Sequence, residues 1–134
     1  MTNRNCDKRI HLDASLLLWM NEQTGKRKGE EWILNSFLFF LRKLYIHKSI
    51  RIDQNGNLHR RFWKGMEGTL HFKLLQKHEK PGNILFYQFM EEVAHSENWI
   101  VIERDRAVLT ENGIDFLKMP RSRQWNLILG YVWP

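Results

Sequence analysis

A chain of 134 residues, 43% hydrophobic and 13% aromatic, suits one domain (1–134) with a core of its own, and excludes a disordered or low-complexity protein. One cysteine, Cys6, excludes an internal disulfide framework and fits a reducing compartment. The formal net charge of +6 permits nucleic acid or an acidic membrane surface as partner, but the basic character is local: residues 42–80 hold ten basic and three acidic side chains, residues 81–119 three and seven.

The start, Met1 to Ile10, is polar and shows no secretory signal. The most apolar run, 32–41, is interrupted by Asn35 and Ser36 and is about half of a bilayer span. A cytoplasmic protein with no membrane partner is expected. A first helix is expected from about Leu12 to Gln23, with Asp13 or His11 ahead of Leu16, Leu17, Trp19 and Met20. Gly25-Lys26-Arg27-Lys28-Gly29 then reads as a flexible loop, so that 1–29 leads into a core at 30–119. Glu30 to His47 reads as a second helix, with acids at its start and Arg42, Lys43 and Lys48 at its end, as the helix dipole favours. Its apolar residues cover nearly the whole circumference, so it is either a central core helix or half of a subunit interface.

Ile50-Arg51-Ile52 alternates like a strand, and Asp53 to Asn57 is a turn marked by Asn-Gly. Asn57 is expected to cap a helix from Leu58 that carries His59, Arg60, Arg61 and Lys64, and a further helix is expected over Thr69 to His78. After Pro81-Gly82, Asn83 is expected to cap a helix with Ile84, Phe86, Phe89, Met90 and Val93 inside and Gln88, Glu91, Glu92 and His95 on the wetter side. Trp99 to Ile102 and Ala107 to Thr110 read as a hairpin around Glu103-Arg104-Asp105-Arg106. Thr110 caps the next helix, and Pro120 separates it from a last one, Arg121 to Val132, in a C-terminal segment 120–134.

This order, with Leu109-Thr110-Glu111-Asn112-Gly113 after a short wing, resembles bacterial winged-helix regulators. Ile50 to Arg61, and Thr110 to Leu117 followed by Pro120, Trp125 and Trp133, resemble the N-terminal accessory domain of bacterial XPB-like helicases. The resemblance covers roughly residues 40–134. It implies a mainly α chain with a small β-hairpin (α+β), a winged helix-turn-helix with extra N- and C-terminal helices, and a role facing nucleic acid. It does not extend to helicase activity: no P-loop is present, and Gly25-Lys26-Arg27-Lys28-Gly29 has the wrong spacing.

The basic cluster Lys48, Arg51, His59, Arg60, Arg61 and Lys64 is the principal expected nucleic-acid contact, because a strand end and a helix start bring these cations together where they neutralise phosphates. A solvated helix face is the plain alternative. The wing arginines Arg104 and Arg106 join the list, against an ordinary charged turn; Arg121 and Arg123 are weaker. One feature of the sequence opposes DNA binding. The helix before the wing, where a winged helix reads the major groove, holds Glu91 and Glu92 and no Arg or Lys. A protein-interaction module on the same scaffold is therefore the rival reading.

Metal and catalytic chemistry find little support. His71 and His78 are the best-spaced histidines, Glu91, Glu92 and His95 form one Glu-x-x-His, and no serine lies in a Gly-x-Ser-x-Gly context. No cofactor and no metal are expected. Terminal helices often form dimers of winged-helix proteins, so Trp32, Phe37, Phe40, Trp125, Ile128 and Trp133 are expected at a homodimer interface, with double-stranded DNA as the partner of the dimer.

Overall fold

A computed structural model of the protein describes residues 13–27, 29–75 and 80–132. In chain order these form α1 (Ala14–Lys26), α2 (Glu31–His47), β1 (Ile50–Arg51), α3 (Arg60–Leu70), a 3-10 turn (Pro81–Asn83), α4 (Leu85–Ser96), β2 (Ile100–Glu103), β3 (Arg106–Leu109), α5 (Glu111–Lys118) and α6 (Arg121–Val132). The chain is thus mainly helical with a small antiparallel sheet in the order β1-β3-β2. Among the described residues no helix is long and apolar enough to cross a membrane.

The apolar circumference of α2 is explained by its central place. Leu34, Phe37, Phe40, Leu41 and Leu44 are almost wholly buried, on faces that point to different neighbours. On one side three rings from three helices form a stack. Trp63 of α3 lies parallel to Phe40 of α2 at 5.5 Å and to Tyr87 of α4 at 4.3 Å. On another side Trp32 meets Trp19 of α1 edge-on at 5.6 Å and Phe86 of α4 at 5.3 Å, with Phe72 completing the group. The indole N–H of Trp32 donates to Thr24 Oγ1 at 3.0 Å, so its one polar atom is satisfied within the chain.

These contacts correct the expected interface. Trp32, Phe37, Phe40 and Ile128 are 7%, 0%, 0% and 0% exposed within a single chain, so they hold its own core and are not available to a second copy. Trp125 is half-buried and packs on the same core, while Trp133 lies outside the described residues. α6 is fastened along its length. Arg121 pairs with Glu31 at 2.9 Å, the buried Gln124 donates to Phe116 O at 2.8 Å, and Tyr131 donates to Glu97.

Four local expectations also change. α1 runs on through Gly25 to Lys26, held by Arg27, which donates to Gln23 Oε1 at 3.1 Å and stacks on Phe72 at 4.6 Å. Asn57 closes the turn rather than capping a helix: its N–H donates to Asp53 Oδ1 at 3.0 Å, and His59 is the cap, its Nδ1 accepting from the Arg61 N–H at 3.2 Å. The helix expected over 69–78 does not form in its described part. His71 ends α3 with φ 62°, and the Leu74 and Leu75 N–H groups turn to the Glu67 carboxylate at 2.8 and 2.7 Å instead of to helical carbonyls; the rest, 76–79, lies outside the described residues. Finally, α4 begins at Leu85 behind the 3-10 turn, with no side-chain cap from Asn83.

Thr110 does cap α5, accepting from the Gly113 N–H at 3.1 Å. Gly113 is required by space. A Cβ there would lie 2.5 Å from Leu109 Cδ1 and 2.7 Å from the Trp99 carbonyl oxygen. Replacing Gly113 by Ala is expected to destabilise the protein by about 1–3 kcal/mol in urea unfolding, through forced displacement of β2 from α5. Gly130→Ala is the control: nothing lies within 4 Å of its Cβ position in α6, and it is expected to stabilise by about 0.5–1 kcal/mol.

Candidate functional site

The strand β1 is only two residues long, yet it organises the charged face. Ile50 pairs with Ala107 and Arg51 with Arg106 on β3, while Glu103 of β2 faces Arg106 from the other side. β2 and β3 join through Arg104 and Asp105, both at positive φ (51° and 64°), the geometry of a tight two-residue hairpin. Asp105 O accepts from the Ile52 N–H at 3.2 Å, which ties the hairpin tip to the end of β1. After the turn, Leu58 bridges back to Ile52, so α3 starts beside the strand that precedes it.

This arrangement leaves an open cleft of about 590 Å³ where the end of α2, β1, the start of α3 and β3 meet. Its basic wall is Lys43 and His47 from α2, Arg51 from β1, His59 and Arg61 from the start of α3, and Arg106 from β3. Ser49, Ile50 and Phe62 complete it, and among the described residues no carboxylate lines it. Arg106 is oriented by Ser49: its Nε donates to the Ser49 hydroxyl at 2.7 Å and an Nη to the Ser49 carbonyl at 3.3 Å. Lys43 lies 5.7 Å from the centre of the Phe62 ring, and Gly65 leaves it room, since a Cβ there would stand 2.9 Å from Nζ. The side chains of Arg51 and Arg61 have no hydrogen-bond or ion-pair partner among the described residues. A second cleft, on the other side of Arg51 and Arg106, is lined by Arg104 but also by Asp53 and Asp105.

Of the expected contacts, then, Arg51, His59, Arg61 and Arg106 converge on one cleft and Arg104 lies on the adjoining one. Lys48, Arg60 and Lys64 line neither. Lys48 and Lys64 are exposed, and Arg60 is half-buried at the first position of α3. Lys43, His47 and Ser49 were missed. Lys43 and His47 are four apart on a helix and so share a face, a spacing visible in the sequence; Ser49 gave no such signal.

The start of α3 is fixed from beneath by Glu91 of α4. Expected on a wet face, Glu91 is 4% exposed, and both carboxylate oxygens accept from the Leu58 N–H, at 3.1 and 3.3 Å. Burial pushes its carboxyl up to about 8, with the Leu58 N–H and the nearby Trp63 indole holding the shift back and the charges of Asp53 and Glu92 adding to it. The indole nitrogen itself sits outside hydrogen-bonding geometry. The rest of α4 is equally inward: Phe86, Tyr87, Phe89, Met90, Val93 and Ala94 are buried, leaving Leu85, Glu92 and His95 as its exposed face.

Among the described residues no three His, Cys, Asp or Glu side chains come together as a metal site. No family model, curated protein or solved structure matches the chain.

A carboxyl raised from 4.5 unfolded to about 8 folded binds its proton more tightly in the folded state. Its contribution to stability is full below 4.5, declines between the two values and is lost above about 8. The thermal midpoint is therefore expected to fall as pH rises through that window. Glu91→Gln, which keeps an acceptor for Leu58, is expected to flatten this dependence and to be no less stable than the parent at the upper end. Glu91→Ala leaves the Leu58 N–H buried and unpaired, and is expected to cost about 1–3 kcal/mol at the low end of the window, a cost that shrinks as pH rises because the variant lacks the titrating carboxyl.

Proposed function

We propose that this protein is a non-catalytic, winged-helix-like DNA-binding protein that holds the duplex through its phosphates, in the manner of a transcription regulator or DNA-maintenance factor. The observation that carries this reading is the convergence of Arg51, Arg61, Arg106 and Lys43, with His47 and His59, on one cleft that no carboxylate lines among the described residues. Cations gathered without counter-charges attract a polyanion and release its condensed counterions on binding. The element order supports the scaffold: helix, strand, two helices and a hairpin, with the first strand paired to the outer side of the last.

The acidic helix before the hairpin is reconciled by its burial. α4 offers Leu85, Glu92 and His95 to solvent, a poor set for reading base edges beside phosphates. The binding face lies instead on β1, the start of α3 and the hairpin. Phosphate contacts from that face carry little sequence information, so weak sequence preference is expected. A protein-interaction module is the second reading, favoured by Tyr45 and Ile46, which stand 58% and 72% exposed at the end of α2 next to His47.

Fluorescence anisotropy with a random labelled duplex, titrated across salt, tests the first reading. Binding is expected to weaken steeply with salt. Arg51→Glu with Arg61→Glu is expected to weaken it at least about tenfold and to reduce the slope of log affinity against log salt by about 2. Arg123→Glu on α6 is expected to change neither. Salt-insensitive binding, or none at low salt, would overturn the reading and turn attention to a protein partner.

A further inference from the structure

The cleft has features that a flat phosphate-tracking surface does not need. It is concave, and its volume of about 590 Å³ falls in the range of small-ligand sites. A duplex can lay backbone phosphates along the basic rim of such a space, whereas an end group can enter it. Its charge is concentrated as well. An internal phosphodiester carries one negative charge, whereas a phosphate monoester carries about 1.5 to 2 near neutral pH.

Two details point to a ligand between the arginines. Arg51 and Arg106 face each other directly across β1 and β3, and like charges in directly opposed positions destabilise a sheet. Glu103, opposite Arg106 on β2, offsets part of this but does not line the cleft. Arg106 is also set in place before any ligand arrives. Ser49 takes Nε and one Nη, and the other Nη has no protein partner among the described residues. A guanidinium fork held this way suits two-point binding of a phosphate. His59 adds a donor: with Nδ1 accepting from the Arg61 N–H, its ring proton resides on Nε2 when the ring is neutral.

We propose that this cleft binds a phosphate monoester dianion, with Arg51, Arg61, Arg106 and Lys43 as its ligands, and that on DNA it engages a phosphorylated strand end. The second half rests on the DNA-binding reading; the first does not. The chemistry is shared by a strand terminus and by a free nucleotide, and the test separates the two.

Three labelled duplexes of one sequence are compared by anisotropy with the full chain: 5′-phosphate ends, 5′-hydroxyl ends, and a covalently closed form without ends. In parallel, inorganic phosphate and a nucleoside monophosphate are titrated while the amide and arginine Nε resonances are followed by NMR. The 5′-phosphate duplex is expected to bind about tenfold tighter than the other two. Arg51→Gln is expected to remove that preference, while Lys64→Gln, outside the cleft, weakens all three duplexes alike and keeps it. Arg106→Gln also releases Ser49, so it serves only as a second variant whose fold is checked by its thermal midpoint. Equal binding of all three duplexes, with saturable nucleotide shifts at Arg51 and Arg61 that Arg51→Gln abolishes, assigns the site to a free nucleotide. Equal binding of the duplexes with no such shifts overturns the monoester site and leaves the DNA reading standing. Binding of nucleotide but of no duplex does the reverse.

Discussion

The parallel stack of Phe40, Trp63 and Tyr87 is the contact on which the remaining structure depends. It joins α2, α3 and α4 through rings with no solvent exposure, at spacings of 5.5 and 4.3 Å. Large flat rings bury much area with few rotamers to lose, so one stack fixes both the spacing and the rotation of three helices. Glu67 secures its far end. One carboxylate oxygen accepts from the Tyr87 hydroxyl at 2.7 Å and from the Leu74 and Leu75 N–H groups, so the stack, the end of α3 and the segment after it share one acceptor. Burial first, and then this acceptor, hold the Tyr87 hydroxyl firmly protonated.

The same stack explains why the charged face lies where it does. With Tyr87 and Phe86 turned inward, α4 exposes only a narrow face of Leu85, Glu92 and His95, and even its Glu91 is drawn beneath the start of α3. The exposed basic side chains gather instead at the start of α3 and on β1, where short elements bring arginines together. A two-residue strand suffices because Asp105 O and Leu58 extend its pairing at one end. Glu91, its carboxyl pushed up by burial, anchors the Leu58 N–H at the start of α3.

Much of the architecture was legible along the chain. Repeating apolar positions located α2, α4 and α6, the β-branched run with a charged tetrad located the hairpin, and Thr110 with Gly113 located α5. These are local signals: a period, a turn and a cap are decided by neighbours within a few residues. Where local signals competed, the tertiary contact won. Glu67 took the amide groups that a helix over 69–78 needed, and the Asp53 turn took Asn57 from its expected cap.

The site divides in the same way. The sequence by itself determined the inventory: an excess of cations in 42–80, arginines at 51, 60, 61, 104 and 106, and an acidic helix ahead of the hairpin. It also determined that α2, apolar on all sides, had to be enclosed. Only the tertiary structure decided by what. Three aromatic residues expected to face a second copy face the chain's own helices instead: Trp32 packs on Trp19 of α1, Phe37 on Phe89 of α4, and Phe40 on Phe62 and Trp63 of α3. Likewise only the pairing of β1 with β3 put Arg51 against Arg106, residues 55 positions apart in the chain, and only the packing of α2 beside them brought in Lys43 and His47. Charge can be counted along a chain, but whether charges meet depends on distances that long-range packing sets.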